Sequence, residues 1–114
     1  MNVVDLHKDL VRFPSLSHRE KDIADFVEAY VRDAGVPVRR HDDNVWFWLG
    51  DGPDRLLLNT HLDVVPPSAD HPYDPFDPVE VDGRIYGRGT VDAKASAASM
   101  TTALLALARE GYAP

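Results

Sequence analysis

His61, Asp63 and Asp92 are the residues of this chain whose types and spacing could do chemistry. His61 and Asp63 follow the run Leu56-Leu57-Leu58-Asn59-Thr60, which lies between Gly52-Pro53 and Pro66-Pro67. A short apolar run between such breakers predicts a buried strand. Side chains two apart on a strand point the same way, so His61 and Asp63 would sit side by side where the strand leaves its sheet. A histidine beside a carboxylate suits a metal ligand whose second ring nitrogen is held by an acid. Asp92 follows Gly87-Arg88-Gly89 and precedes a helical stretch, where it would add a hard oxygen donor. Each residue alone has a plainer role. A histidine at a strand end can be structural, and an aspartate before a helix can be its N-cap. The joint pattern, with five prolines shaping the loop from Pro66 to Pro78, favours the metal site.

The elements around these residues follow from periodicity and breakers. Val3, Leu6, Leu10 and Val11 have helical spacing over residues 2–12, and Pro14 stops the run. Ser17 and Glu20 have the spacing of a capping box for a second helix, with a stripe of Ile23, Phe26, Val27, Tyr30 and Val31 and a stop at Gly35. Val36 to Arg40 and Val45 to Leu49 read as strands joined by a turn at Asp42-Asp43-Asn44. Trp46 and Trp48 share one face and Phe47 the other, which suits a strand covered on both sides. Asp82-Gly83 marks a tight hairpin. Residues 92–110 predict a helix ended by Gly111, with small residues from Ala95 to Ser99 allowing close packing on a sheet.

The bulk properties narrow the function. With 114 residues the chain has the size of one domain and can bury a modest core. It carries 19 acidic and 12 basic residues, a formal charge of −7, and no basic stripe, which argues against nucleic acid as a partner. No apolar stretch approaches a membrane span and no leader is evident, so no membrane partner is expected. Without cysteine there is no disulfide and no thiolate metal site, and a cytoplasmic address fits.

The run Leu57-Leu58-Asn59-Thr60-His61-Leu62-Asp63-Val64-Val65-Pro66 resembles the first metal motif of a family of co-catalytic zinc hydrolases. That family includes acetylornithine deacetylase, succinyl-diaminopimelate desuccinylase, the aminoacylases and glutamate carboxypeptidases. Asp74-Pro75-Phe76 and the run from Asp82 through Gly87-Arg88-Gly89-Thr90-Val91-Asp92-Ala93-Lys94 are similar to the segment carrying its bridging aspartate. One departure is Ala95, where the family frequently has glycine.

The resemblance implies an α/β fold, an α/β/α sandwich with a mixed sheet. Residues 1–114 would be the amino-terminal part of the catalytic domain, with the remaining catalytic segment and a dimerisation domain outside this sequence. It implies two zinc ions per complete site, with cobalt able to substitute. His61 would ligate one metal, Asp92 would bridge both, and Asp63 would act as the catalytic residue that orients His61. Arg88 and Lys94 are assigned structural roles. The family's general-base glutamate, its adjacent glutamate ligand, a later acidic ligand and a distal histidine lie further along the chain, and no Glu-Glu pair occurs here. His7, His18, His41 and His71 are off the motif positions and read as surface or loop residues. No motif places Glu80 or Glu110 at the site.

The implied activity is amide hydrolysis of a small N-acyl amino acid, with acetylornithine the first choice and a homodimer as the full-length form. The competing readings are a peptidase or carboxypeptidase of the same family acting on short peptides, and a non-catalytic binding or structural module.

Overall fold

The computed structural model describes residues 2–114. Helix α1 spans Val3–Val11 and is capped by Asn2, whose side chain accepts from the Val4 N–H at 2.7 Å. This satisfies one of the amide groups that a helix start leaves unpaired. Helix α2 spans Lys21–Asp33. Its end matches the expected stop. Gly35 lies at φ +80°, its N–H donates to the Arg32 carbonyl at 2.9 Å, and the Val36 N–H donates to Val31 at 3.4 Å. That is the paired arrangement of a Schellman cap, with buried Val36 and Val31 supplying its apolar contact.

The capping box is not formed. Helix α2 begins at Lys21 with Glu20 as its N-cap and no side-chain cap bond. Glu20 instead accepts from the His18 N–H at 2.8 Å, and the Ser17 hydroxyl points elsewhere.

The strands form two separate antiparallel hairpins. Strand β1, Val38–His41, pairs with β2, Asn44–Phe47; strand β3, Val79–Val81, pairs with β4, Arg84–Tyr86. Asp82 and Gly83 both have positive φ, the requirement of a tight two-residue turn. The first hairpin is covered on one face only. Val45 and Phe47 pack toward α2, whereas Trp46 is 47% exposed. Antiparallel pairs tolerate one wet face, which is why the two-sided cover expected for Trp46 does not hold.

Residues 54–63 join no ladder among the described residues, and Leu56 and Leu57 are 85% and 83% exposed. The run expected as a buried strand is therefore neither buried nor paired. An apolar run becomes a strand only where a neighbouring edge receives its amide groups, and here it pairs with neither hairpin. The mixed sheet is likewise not assembled among the described residues.

Helix α3 spans Lys94–Arg109 and ends in a second Schellman cap at Gly111. It packs on α1, and α2 packs on the first hairpin. The core joins these layers through Leu6, Leu10, Ile23, Val31, Ala98 and Leu105. Fully burying a side chain such as Leu10, Ile23 or Leu105 contributes about 1.5–3 kcal/mol relative to exposure. This core holds the end of α1 and the start of α3 together, and the site lies on the loops between them.

Candidate metal centre

Two loops meet at the site. The first, Leu62-Asp63-Val64, is held by the segment after α1. The Val64 N–H donates to the Ser15 carbonyl at 2.8 Å, the Ser15 hydroxyl donates to the Leu62 carbonyl at 2.7 Å, and Leu16 forms a parallel bridge with Val64. The second loop, Gly87 to Ala93, leads into α3. The Arg88 N–H donates to the Pro75 carbonyl at 2.7 Å, and the His7 ring bonds the Thr90 carbonyl through Nε2 at 2.9 Å. His7 is thus a half-buried support of this loop rather than a surface residue.

The loops touch at Gly89. Its φ is +86°, and a Cβ there would lie 2.6 Å from the Val64 Cγ1 atom, so only glycine lets the Val64 side chain pack this closely on the backbone. Beneath them Lys94 is fully buried, and its ammonium donates to the Phe13 carbonyl at 2.8 Å. Burial pushes its pKa down to about 8. The structural reading of Lys94 agrees with this position, but the side chain is an internal anchor and not a solvated charge.

His61, Asp63 and Asp92 come together on this frame. His61 Nε2 lies 2.9 Å from Asp92 Oδ1, and Nδ1 lies 3.1 Å from Asp63 Oδ1 and 3.0 Å from the Asp63 carbonyl. The second oxygen of Asp63 accepts from the Ser17 hydroxyl at 2.5 Å. Asp92 precedes the N-cap of α3, Ala93, and its carboxylate turns to His61 rather than capping the helix. The Asp92–Ala93 peptide bond is cis. These residues line one open cavity of about 310 Å³ together with Val64, Val65 and residues 87–91.

The electrostatics follow from these contacts. The Asp92 carboxylate, and then the Asp63 carbonyl and carboxylate, raise the His61 pKa against the opposing effect of burial. The Ser17 hydroxyl first, and the His61 ring after it, hold the Asp63 carboxyl below its usual range. A ring flanked by acceptors on both nitrogens favours its cationic form, in which both nitrogens donate.

The donor set suits a divalent cation. Two ligands on one tetrahedral zinc stand roughly 3.3 Å apart when each bond is near 2.05 Å. The His61 and Asp92 donors, at 2.9 Å, already face each other at close to that separation. The direction from Nε2 toward Asp92 is the one a cation would take. Asp92 is 86% exposed, so its second oxygen is open to a further partner. Among the described residues no group of three histidine or acidic side chains is arranged as a metal cage. The set fits part of a metal centre and not a whole one. Glu80, one possible contributor, is engaged by Lys8 at 2.8 Å.

Sequence reasoning missed Ser17. It lies far from Asp63 along the chain, and its only local signal, the spacing to Glu20, pointed to a helix cap.

Comparison with known proteins agrees with the family resemblance. Residues 57–114 match the model of peptidase family M20/M25/M40. A peptidase M20 domain-containing protein of Schizosaccharomyces pombe is 34% identical over 96% of this chain. Succinyl-diaminopimelate desuccinylases of Nitratiruptor sp. and Nautilia profundicola are 35% and 34% identical, each over 91% of it. The chain spans only 28% to 29% of the length of these three relatives. No helix among the described residues is long and apolar enough to cross a membrane. With half of its length matched and both motifs inside the match, the chain belongs to peptidase family M20/M25/M40.

Proposed function

We propose that the complete polypeptide is a zinc-dependent amide hydrolase acting on a small N-acyl amino acid, and that residues 1–114 supply part of its di-zinc site. The observation that carries this reading is the facing of His61 Nε2 and Asp92 Oδ1 at 2.9 Å, with Asp63 on the other ring nitrogen. His61 would hold one ion through Nε2. Asp63 accepts the Nδ1–H, which fixes the tautomer and raises the basicity of the ligating nitrogen. Asp92 would be the second residue to hold metal, its exposed carboxylate offering two oxygens where an imidazole offers one nitrogen. Zinc, or cobalt in its place, lowers the pKa of a water and polarises the amide carbonyl when bound. The products are a free carboxylate and an amine, so the cavity beside His61 must admit a planar amide and release a charged acid.

In the complete catalytic domain we place these residues in an α/β/α sandwich with a mixed sheet. The exposed Leu56-Leu57-Leu58 run supports this, because a continuous leucine run suits a strand covered on both faces, and here it is unpaired. A dimerisation domain, a homodimer and a cytoplasmic address belong to the same reading.

The sequence motifs put acetylornithine first among substrates, and the names of the two desuccinylase relatives put succinyl-diaminopimelate beside it. A panel of N-acetyl, N-succinyl and dipeptide substrates, assayed with zinc on the longest natural polypeptide containing residues 1–114, tests the proposal. Hydrolysis of an N-acyl amino acid supports it. Strong preference for dipeptides moves the assignment to the peptidase branch, and no hydrolysis of any member leaves a binding module.

A further inference from the structure

We propose that Ser17 is a positioning residue of this centre, holding the Asp63 carboxylate so that the carboxylate holds the His61 ring. The inference rests on the metal-site reading above and extends it to a residue outside both motifs.

The geometry divides the labour of Asp63 between its two oxygens. Oδ1 faces His61 Nδ1 at 3.1 Å, and Oδ2 accepts from the Ser17 hydroxyl at 2.5 Å. A carboxylate rotates about its last bond in a broad, roughly two-fold potential, so contact through one oxygen alone leaves its plane loosely defined. The Ser17 contact fixes that plane, and with it the direction in which the ring presents Nε2 to Asp92.

Ser17 is itself delivered from a buried base. Ser15 and Val64 are 2% and 3% exposed, and the Ser15-Leu16 segment is pinned to Leu62 and Val64 by backbone and hydroxyl bonds. Three consecutive residues thereby clamp three others, Leu62-Asp63-Val64. The usual role of a serine just before a helix is not available to it, because α2 starts at Lys21 and Glu20 is its N-cap. Ser17 is exposed, so losing its hydroxyl opens no core cavity.

The test uses Ser17→Ala and Ser17→Thr in the longest natural polypeptide. Zinc alone is titrated by competition with a chelating dye, the His61 ring is read by nitrogen NMR of the metal-free protein, and thermal unfolding is followed in parallel. Ser17→Ala is expected to weaken zinc binding or slow turnover about 10-fold, the low end for a residue acting through a ligand's partner. It should also shift the His61 ring signals and leave the unfolding temperature in place. Ser17→Thr, which keeps the hydroxyl, should restore both readouts. Wild-type zinc binding and wild-type ring signals in Ser17→Ala would overturn the proposal. So would a lowered unfolding temperature with no rescue by threonine, which would mark a purely structural role. The metal-site reading fails separately, if His61→Ala binds zinc as tightly as wild type.

Discussion

At the scale of residues, His61 joins two aspartates that serve it differently. Asp63 sits on Nδ1 and is fixed from behind, whereas Asp92 sits on Nε2 and is open to solvent. Removing a ligand should therefore differ from loosening its support. Asp92→Ala and His61→Ala are expected to abolish metal-dependent hydrolysis in the longest natural polypeptide. Asp63→Asn should keep at least one metal while lowering turnover about 10- to 100-fold, as metal analysis and initial rates would show. The raised pKa of His61 adds a pH dependence. Zinc must displace a proton that the neighbouring carboxylates hold on the ring, so affinity should fall as pH drops through that raised value. Zinc titrations from neutral to mildly acidic pH would reveal this; a flat profile would argue against His61 as a ligand. His61 and Asp63 were legible as a pair because two-residue spacing and an apolar run identify them locally. Ser17 was not, because its hydroxyl is committed to a residue far along the chain.

At the scale of elements, close approach of two loops and a buried cation under them set the frame. The Gly89 backbone meets Val64 with no room for a Cβ, so Gly89→Ala should push the Asp63 loop away from the loop leading to Asp92. Strain at positive φ and the steric conflict together should cost about 1–3 kcal/mol, measured by denaturant unfolding. Adding Val64→Ala relieves only the steric part, and a double-mutant cycle should show that coupling. Lys94 carries a second signature. Its pKa lies near 8 in the fold against an ordinary value of 10.5. Between those values the unfolded chain retains a proton that the folded chain has released. The contribution of Lys94 to stability therefore rises with pH across that window, and below it the buried charge opposes folding. The stability difference between wild type and Lys94→Met should shift in favour of wild type from about pH 8 to about pH 10.5. The helices and hairpins behind this frame were readable because their signals are local: apolar spacing, Gly35 and Gly111 as stops, Asp82-Gly83 as a turn. The strand expected at Leu56-Leu57-Leu58 was not formed, because pairing depends on an edge that no local pattern specifies.

At the scale of the molecule, the proposed centre is only partly furnished by these residues, and apolar surface is left uncovered. The radius of gyration is 14.8 Å, against roughly 13.3 Å for a compact chain of this length. Leu56 and Leu57 stand in solvent, and Trp46 and Val65 add to the exposed apolar surface. The 114-residue chain alone should self-associate through such surface. Replacing Leu56 and Leu57 by serine should make it more monodisperse in analytical ultracentrifugation without lowering its stability, because neither side chain contributes to the core. The same chain should bind zinc weakly and singly and hydrolyse no amide, because affinity depends on several deprotonated ligands held together. The most direct test of the metal-centre assignment compares wild type with Asp92→Ala in the longest natural polypeptide, measuring bound zinc and N-acyl amino acid hydrolysis on the same samples. Two zinc ions and turnover in wild type, with loss of paired zinc and of turnover in Asp92→Ala, is the predicted result. An Asp92→Ala protein that keeps both ions and hydrolyses its substrate at the wild-type rate would contradict it.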